Sequence, residues 1–170
     1  MLLFAVMTLS IAVFAQDKSK RPSPPASTKC EFPDGKTIKI DYSQPSMKGR
    51  KIYGGLVPYD EVWRTGANEA TTFVSSANVE VGGAAVAPGS YTLYTLPSAG
   101  TWKLIISKKT GQWGIPYPGE QFDLVRVDMK TEPLKSPVEK FTISFEKKGK
   151  SCVMHLDWEQ TRESVEINER

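Results

Sequence analysis

The sequence is poor in the residues that most often carry chemistry. It holds one histidine, His155, and two cysteines, Cys30 and Cys152. Two isolated cysteines with one distant histidine do not make a zinc site, so neither a metal nor another cofactor is expected. No Gly-x-Ser-x-Gly elbow, phosphate-binding loop or metal-ligand cluster occurs anywhere in the chain. An excess of charge of one sign is also missing. Twenty-two basic residues against nineteen acidic ones leave +3, too little for a nucleic-acid footprint or an anionic membrane surface. The nearest thing to a basic cluster, Lys36, Lys39, Lys48, Arg50 and Lys51, reads as solvated surface charge.

Long apolar runs are confined to the beginning. Met1 to Ala15 is uncharged and ends in Val13-Phe14-Ala15 ahead of Gln16-Asp17-Lys18. Small residues three before and one before the cut suit a signal peptidase, so residues 1–15 are expected to be a signal peptide. The run is short for a bilayer span and lacks a preceding basic residue, and a retained anchor is the competing reading. With the signal removed, no membrane span is expected, and the protein would be periplasmic or extracellular. Residues 16–28, rich in Lys, Pro and Ser, read as a flexible leader. Residues 29–170 suit a single domain. In an oxidising compartment the Cys30 and Cys152 pair is most simply a disulfide; two unpaired thiols are the alternative.

From Lys36 onward, short strands separated by turn chemistry dominate the chain. Lys36 to Tyr42 alternates with period two. Val79-Glu80-Val81 runs into Gly82-Gly83, a hairpin signal. Ser90 to Leu96, Thr101 to Ile106, Asp123 to Lys130, Glu139 to Glu146, Ser151 to Glu159 and Glu163 to Asn168 are further strands, and Thr71 to Ser76 another. Alternation places Phe141, Ile143 and Phe145 on one face, and Cys152, Met154, Leu156 and Trp158 on one face. Trp102, Leu104 and Ile106 align likewise, as do Val165 and Ile167. His155, opposite Met154 and Leu156, is expected to face water. Even spacing without intervening helices predicts an all-β, antiparallel β-sandwich of about eight or nine strands. One helical piece is expected at Pro58 to Arg64, with proline first, acids in the first turn and Gly66 just beyond.

Asp41 to Thr71 is unlike the rest, a long connection crowded with aromatics, arginines and acids. Arg50 and Arg64 offer planar forks for carboxylate or phosphate. Tyr53, Trp63 and Trp113 offer flat faces for stacking. Asn68 and Glu69 add amide and carboxylate contacts. Together these seven residues are the candidate ligand site, for a polar small molecule or glycan. The plainer alternative is structural: Arg64 pairs with Asp41, Asp60 or Glu61 and ties the loop to the sheet. A hydrolase using two of Asp41, Asp60, Glu61 and Glu69 is a third reading, since glycoside hydrolysis needs facing carboxylates.

The run from Asp41 to Thr71 resembles the signature of the bacterial domain-of-unknown-function family 2911, D-Y-S-R-P-S-x-K-G-R-x-I-F-G-G-L-V-P-Y-G-x-x-W-R-x-G-A-N-x-A-T. It departs at Gln44, Tyr53 and Asp60, where the signature has arginine, phenylalanine and glycine. Pro88 to Leu93 and Gln112-Trp113-Gly114 are similar too. The resemblance covers most of the chain after Lys29 and implies no activity. A non-catalytic binding module is therefore the leading expectation. A structural or envelope interaction protein is the second.

Overall fold

The computed structural model describes residues 17–170; the expected signal peptide lies outside them. Ten strands form two antiparallel sheets among these residues. They are β1 (Pro25–Glu31), β2 (Thr37–Ser43), β3 (Thr72–Ser75), β4 (Val79–Val81), β5 (Ala84–Val86), β6 (Gly89–Leu96), β7 (Lys103–Ser107), β8 (Asp123–Asp128), β9 (Lys130–Lys148) and β10 (Ser151–Glu169). One sheet runs β1-β2-β3-β6-β7-β8, and the other β5-β4-β10-β9. The all-β sandwich expected from the alternation is what the chain forms.

The shared interior is built as period-two burial dictates. Trp102, Leu104 and Ile106 enter it from one sheet, and Phe141, Ile143, Cys152, Met154, Leu156 and Trp158 from the other. The glycine pair Gly82-Gly83 turns β4 into β5 with both φ angles positive, 53° and 89°, as a type I′ hairpin requires. Cys30 of β1 and Cys152 of β10 form a disulfide across 122 residues of chain, tying the first sheet to the second.

Four expectations are corrected. The segment 16–28 is not a free leader throughout: Pro25–Glu31 pairs with β2 from Pro25↔Ser43 to Glu31↔Thr37. Prolines and lysines hid the strand, which survives because it lies at a sheet edge, where proline costs no ladder bond. The strands expected at Ser151 to Glu159 and Glu163 to Asn168 are one, β10, and the turn between them is a bulge. Pairing with β9 shifts register between Asp157 and Glu159 and again between Glu159 and Thr161. Glu159 itself has φ 54°. Arg162 clasps Asp157 across the bulge with two bonds of 2.7 and 2.6 Å.

His155 is not outward. It is 7% exposed, because β10 bends at the bulge and brings Ser164 onto its ring, Oγ to Nδ1 2.8 Å. A straight strand would hold these two residues roughly 30 Å apart.

The helix expected at Pro58 to Arg64 does not form. Its backbone is taken by the end of β6 instead. The Asp60 amide donates to Pro97 O at 2.8 Å, and Trp63 and Thr95 exchange both backbone bonds at 2.8 and 2.9 Å. A seven-residue helix gains little on its own, whereas this path packs the half-buried Trp63 ring against the core. Asp60 turns the chain at φ 62°, a left-handed angle that suits the glycine of the family signature and that aspartate tolerates.

Candidate functional site

The long connection from 44 to 71 lies over one end of the sandwich as a chain of turns pinned at both sides. Its start covers the edge of β9. Phe141 N donates to Pro45 O and Met47 N to Glu139 O. Gln44 sits at this seam, its amide donating to the Tyr42 hydroxyl and to Phe141 O, both 3.3 Å. Its end is locked from within. Thr65 donates to the Thr95 hydroxyl at 3.1 Å, and the buried Thr71 hydroxyl donates to Thr65 O at 2.7 Å. Gly66 is required here. At φ 154°, a Cβ would stand 3.0 Å from Ser43 O and 3.1 Å from the Thr71 hydroxyl, closer than side chains normally approach backbone.

A cavity of about 290 Å³ opens between this connection and the loop through Ile115. Trp63 and Trp158 line its apolar part, Leu56 and Ile115 are exposed on its walls, and Arg50 and Arg64 contribute its charge. Trp63 is held by stacking on Trp158 at 5.8 Å and 18°, by Phe141 edge-on at 4.9 Å, and by its indole N–H donating to Gly66 O at 3.1 Å.

Among the described residues, the hydrogen bonds of both arginines go to carbonyl oxygens. Arg50 donates from Nε to Met47 O at 2.9 Å and from Nη2 to Ser46 O at 2.6 Å. Arg64 donates weakly to Trp113 O at 3.4 Å and lies 5.6 Å from the centre of the Trp113 ring. Burial pulls the Arg64 guanidinium down from its ordinary value, with Tyr94 opposing. Neither arginine has a carboxylate within ion-pair distance among the described residues. The structural alternative, Arg64 paired with Asp41, Asp60 or Glu61, is thus not the arrangement found. Gly114 lets the Trp113 loop reach Arg64. Its φ is 88°, and a Cβ would stand 3.0 Å from Arg64 Cβ and 2.9 Å from Ala70 Cβ.

The structure brings Arg50, Trp63 and Arg64 together on this cavity and sets Trp113 beside them under the Arg64 guanidinium. The other three candidates lie elsewhere. Tyr53 is core, edge-on to Trp102 at 4.8 Å and to Trp158 at 6.3 Å. Burial, reinforced by Glu163, Glu159 and Asp157, pushes its phenol far up and keeps it neutral. Asn68, at φ 58°, donates to Ser23 O at 2.9 Å and so fastens the N-terminal segment. Glu69 receives Arg21 at 2.8 Å and Lys18 at 2.9 Å. Hydrogen bonds from Lys18, its own backbone and Arg21 hold its carboxyl at about 2.

None of the loop carboxylates lines the arginine cavity. Asp41 and Glu69 do share a smaller one of about 160 Å³. There Lys39 pairs with Asp41 at 2.8 Å, and Lys18 and Arg21 pair with Glu69. Among the described residues, no group of three or more His, Cys, Asp or Glu is arranged to hold a metal ion, and no helix is long and apolar enough to cross a membrane.

Sequence reading missed Trp158, Leu56 and Ile115 as cavity residues. Trp158 alternates with the core set and nothing local distinguishes it. Ile115 belongs to a loop fifty residues away whose only signal was the neighbouring Trp113-Gly114.

A family model described as "Protein of unknown function (DUF2911)" matches residues 23–167. The chain belongs to the DUF2911 family. The match begins two residues before β1, so the edge strand is part of the DUF2911 domain. No curated protein and no solved structure matches the chain. The Asp41 to Thr71 signature of this DUF2911 chain is largely the wall of the arginine cavity together with the residues that pin it.

Proposed function

We propose that the arginine cavity of this protein is a binding site, with no chemistry of its own, for a small organic anion with an apolar or ring-shaped body. One observation carries the reading: Arg50 and Arg64 open on a single aromatic-lined cavity without a carboxylate partner. A guanidinium recognises a carboxylate or phosphate through paired N–H donors, and these two have donors left over after their carbonyl contacts. The Trp63 ring, backed by Trp158, suits a flat body beside the anionic head. A cavity near 290 Å³ is at the small end of ligand sites. Export by the N-terminal signal peptide, to the periplasm or beyond, belongs to the same proposal, and the Cys30–Cys152 disulfide supports it.

The test is a thermal-shift panel of aromatic and aliphatic carboxylates, sugar acids, neutral sugars and phosphate esters. A ligand at 100 times its dissociation constant adds about 2.7 kcal/mol, a shift of several degrees in a domain of this size. Arg64→Ala is expected to abolish the shift while leaving the unliganded melting temperature nearly unchanged. A flat response to every acid, or a shift that Arg64→Ala leaves intact, overturns the reading.

A second reading has its own observation. Leu56, Tyr59, Trp113 and Ile115, 39–65% exposed, are four of the five large exposed apolar side chains among the described residues. Such a grouping suits docking of a partner protein in the envelope. That reading predicts a flat small-molecule panel together with loss of association on Ile115→Asp.

A further inference from the structure

Away from the arginine cavity, the bend in β10 makes a second concave surface. The bulge folds the solvent-side faces of the β9–β10 hairpin toward one another. On those faces cross-strand pairing sets His155 beside Ser144, Val153 beside Glu146, Arg162 beside Glu132 and Ser164 beside Lys130. The result is a cavity of about 300 Å³ whose lining includes His155, Ser164, Glu146, Lys130 and Lys148. It shares no residue with the arginine cavity.

Three of these side chains are linked in series. Ser164 Oγ lies 2.8 Å from His155 Nδ1, and Glu146 Oε2 lies 3.2 Å from His155 Nε2. An ionised carboxylate can only accept, so Nε2 carries the proton and donates to Glu146. Nδ1 is then bare and accepts from the Ser164 hydroxyl. His155 and Ser164 are each 7% exposed, which holds the ring in one orientation and keeps bulk water from competing for Nδ1. The Glu146 side chain is 64% exposed and lies at the mouth.

We infer that Ser164 is an activated nucleophile, with His155 as its general base and Glu146 as the residue positioning the ring, and that the bent hairpin forms an acyl-transfer site for small carboxylic esters. Hydroxyl, base and orienting acid in hydrogen-bonded series are the recurring parts of serine nucleophiles on unrelated folds. Here the two imidazole nitrogens exchange their usual roles.

In the reaction, Ser164 Oγ bonds to the ester carbonyl carbon while its proton passes to His155 Nδ1. The C–O bond to the alcohol then breaks, and the departing alkoxide takes that proton. Water repeats the sequence to release the acid and restore the serine. Lys130, the cross-strand partner of Ser164 and ion-paired with Glu132 at 2.8 Å, and Lys148 bring positive charge to the same cavity lining, where charge develops on the carbonyl oxygen.

The experiment uses a fluorophosphonate probe, in which the Oγ–P bond forms as fluoride leaves. The adduct is mapped by tandem mass spectrometry on the folded wild-type protein. One adduct is expected, on Ser164, and Ser164→Ala abolishes it. His155→Gln slows labelling by roughly 100-fold or more, the usual worth of a general base. His155 is buried, so Glu146→Gln, a change at an exposed side chain, carries the test where His155→Gln fails to fold. It slows labelling by roughly tenfold or more at unchanged melting temperature, and Glu146→Asp recovers part of the rate. Absence of an adduct on Ser164, or labelling of Glu146→Gln at the wild-type rate, overturns the assignment and leaves the His155–Ser164 bond as a staple for the bent strand.

Discussion

The indole of Trp63 lies 5.8 Å from that of Trp158, centroid to centroid, with the two planes 18° apart. One ring belongs to the long connection and the other to β10, at the bulge. Their stacking fixes the loop on the sheet and gives the arginine cavity its aromatic lining. A half-buried tryptophan in this setting is expected to contribute about 2–4 kcal/mol. Trp63→Ala should lower the urea midpoint accordingly, and Trp63→Phe should cost less than half as much. Equal stability of Trp63→Ala and wild type would mean that the loop is held by its backbone bonds alone.

Gly114 predicts a separation of packing from ligand recognition. Valine at φ 88° is strained and would push its Cβ onto Ala70 and Arg64, costing roughly 1–3 kcal/mol. Gly114→Val should therefore displace Trp113 from the Arg64 guanidinium. Urea denaturation reads the first effect, and calorimetric titration with whichever anion the panel identifies reads the second. Undiminished affinity would show that Trp113 does not support Arg64.

The disulfide between Cys30 and Cys152 spans nearly the whole domain. In the chain-entropy account a closed loop of this length restrains the unfolded chain by about 4–5 kcal/mol. Adding a reductant, or replacing both cysteines by alanine, should lower the denaturant midpoint by corresponding amounts. The two treatments should agree with each other. A midpoint indifferent to both would show that the bond adds nothing to the stability of the sandwich.

Glu163 faces the core from β10, 1% exposed, with neither carboxyl oxygen hydrogen-bonded among the described residues. Burial pushes its carboxyl up from 4.5 to about 7, the Thr131 hydroxyl opposing in part. The folded protein therefore keeps a proton that the unfolded chain gives up above about 4.5. Stability from this group is complete below that pH, declines as the pH rises, and levels off once it has passed about 7. A shift of that size corresponds to a decline of roughly 3 kcal/mol. Glu163→Gln should remove this slope and leave the protein more stable than wild type at pH 8. Parallel stability–pH curves for the two proteins would exclude Glu163 as the source.

The strands were legible because burial in a sandwich imposes period two, and Phe141, Ile143, Cys152, Met154 and Leu156 keep that period without interruption. Gly82-Gly83 was legible because only residues free to take positive φ can make so tight a hairpin. Where local chemistry and long-range pairing disagreed, long-range pairing won. Pro58 to Arg64 has a helix's end signals, yet Trp63 gains more by reaching Thr95 and Trp158 than a two-turn helix offers. Pro25 to Glu31 has a leader's composition, yet its backbone completes an edge.

Residue types by themselves decided the architecture and which loop would carry the arginines, because alternation and a concentrated motif are local properties of the chain; that Cys30 and Cys152 bond rather than stay as thiols was settled by the fold. Only tertiary structure decided that Arg50, Trp63 and Arg64 share a cavity while Tyr53, Asn68 and Glu69 do not, and that His155 turns from solvent toward Ser164. Those outcomes depend on the direction in which the connection is laid across Trp158 and on a bulge at Glu159. Each is set by contacts between residues far apart in the chain, or by a bend that the spacing of polar and apolar residues does not encode.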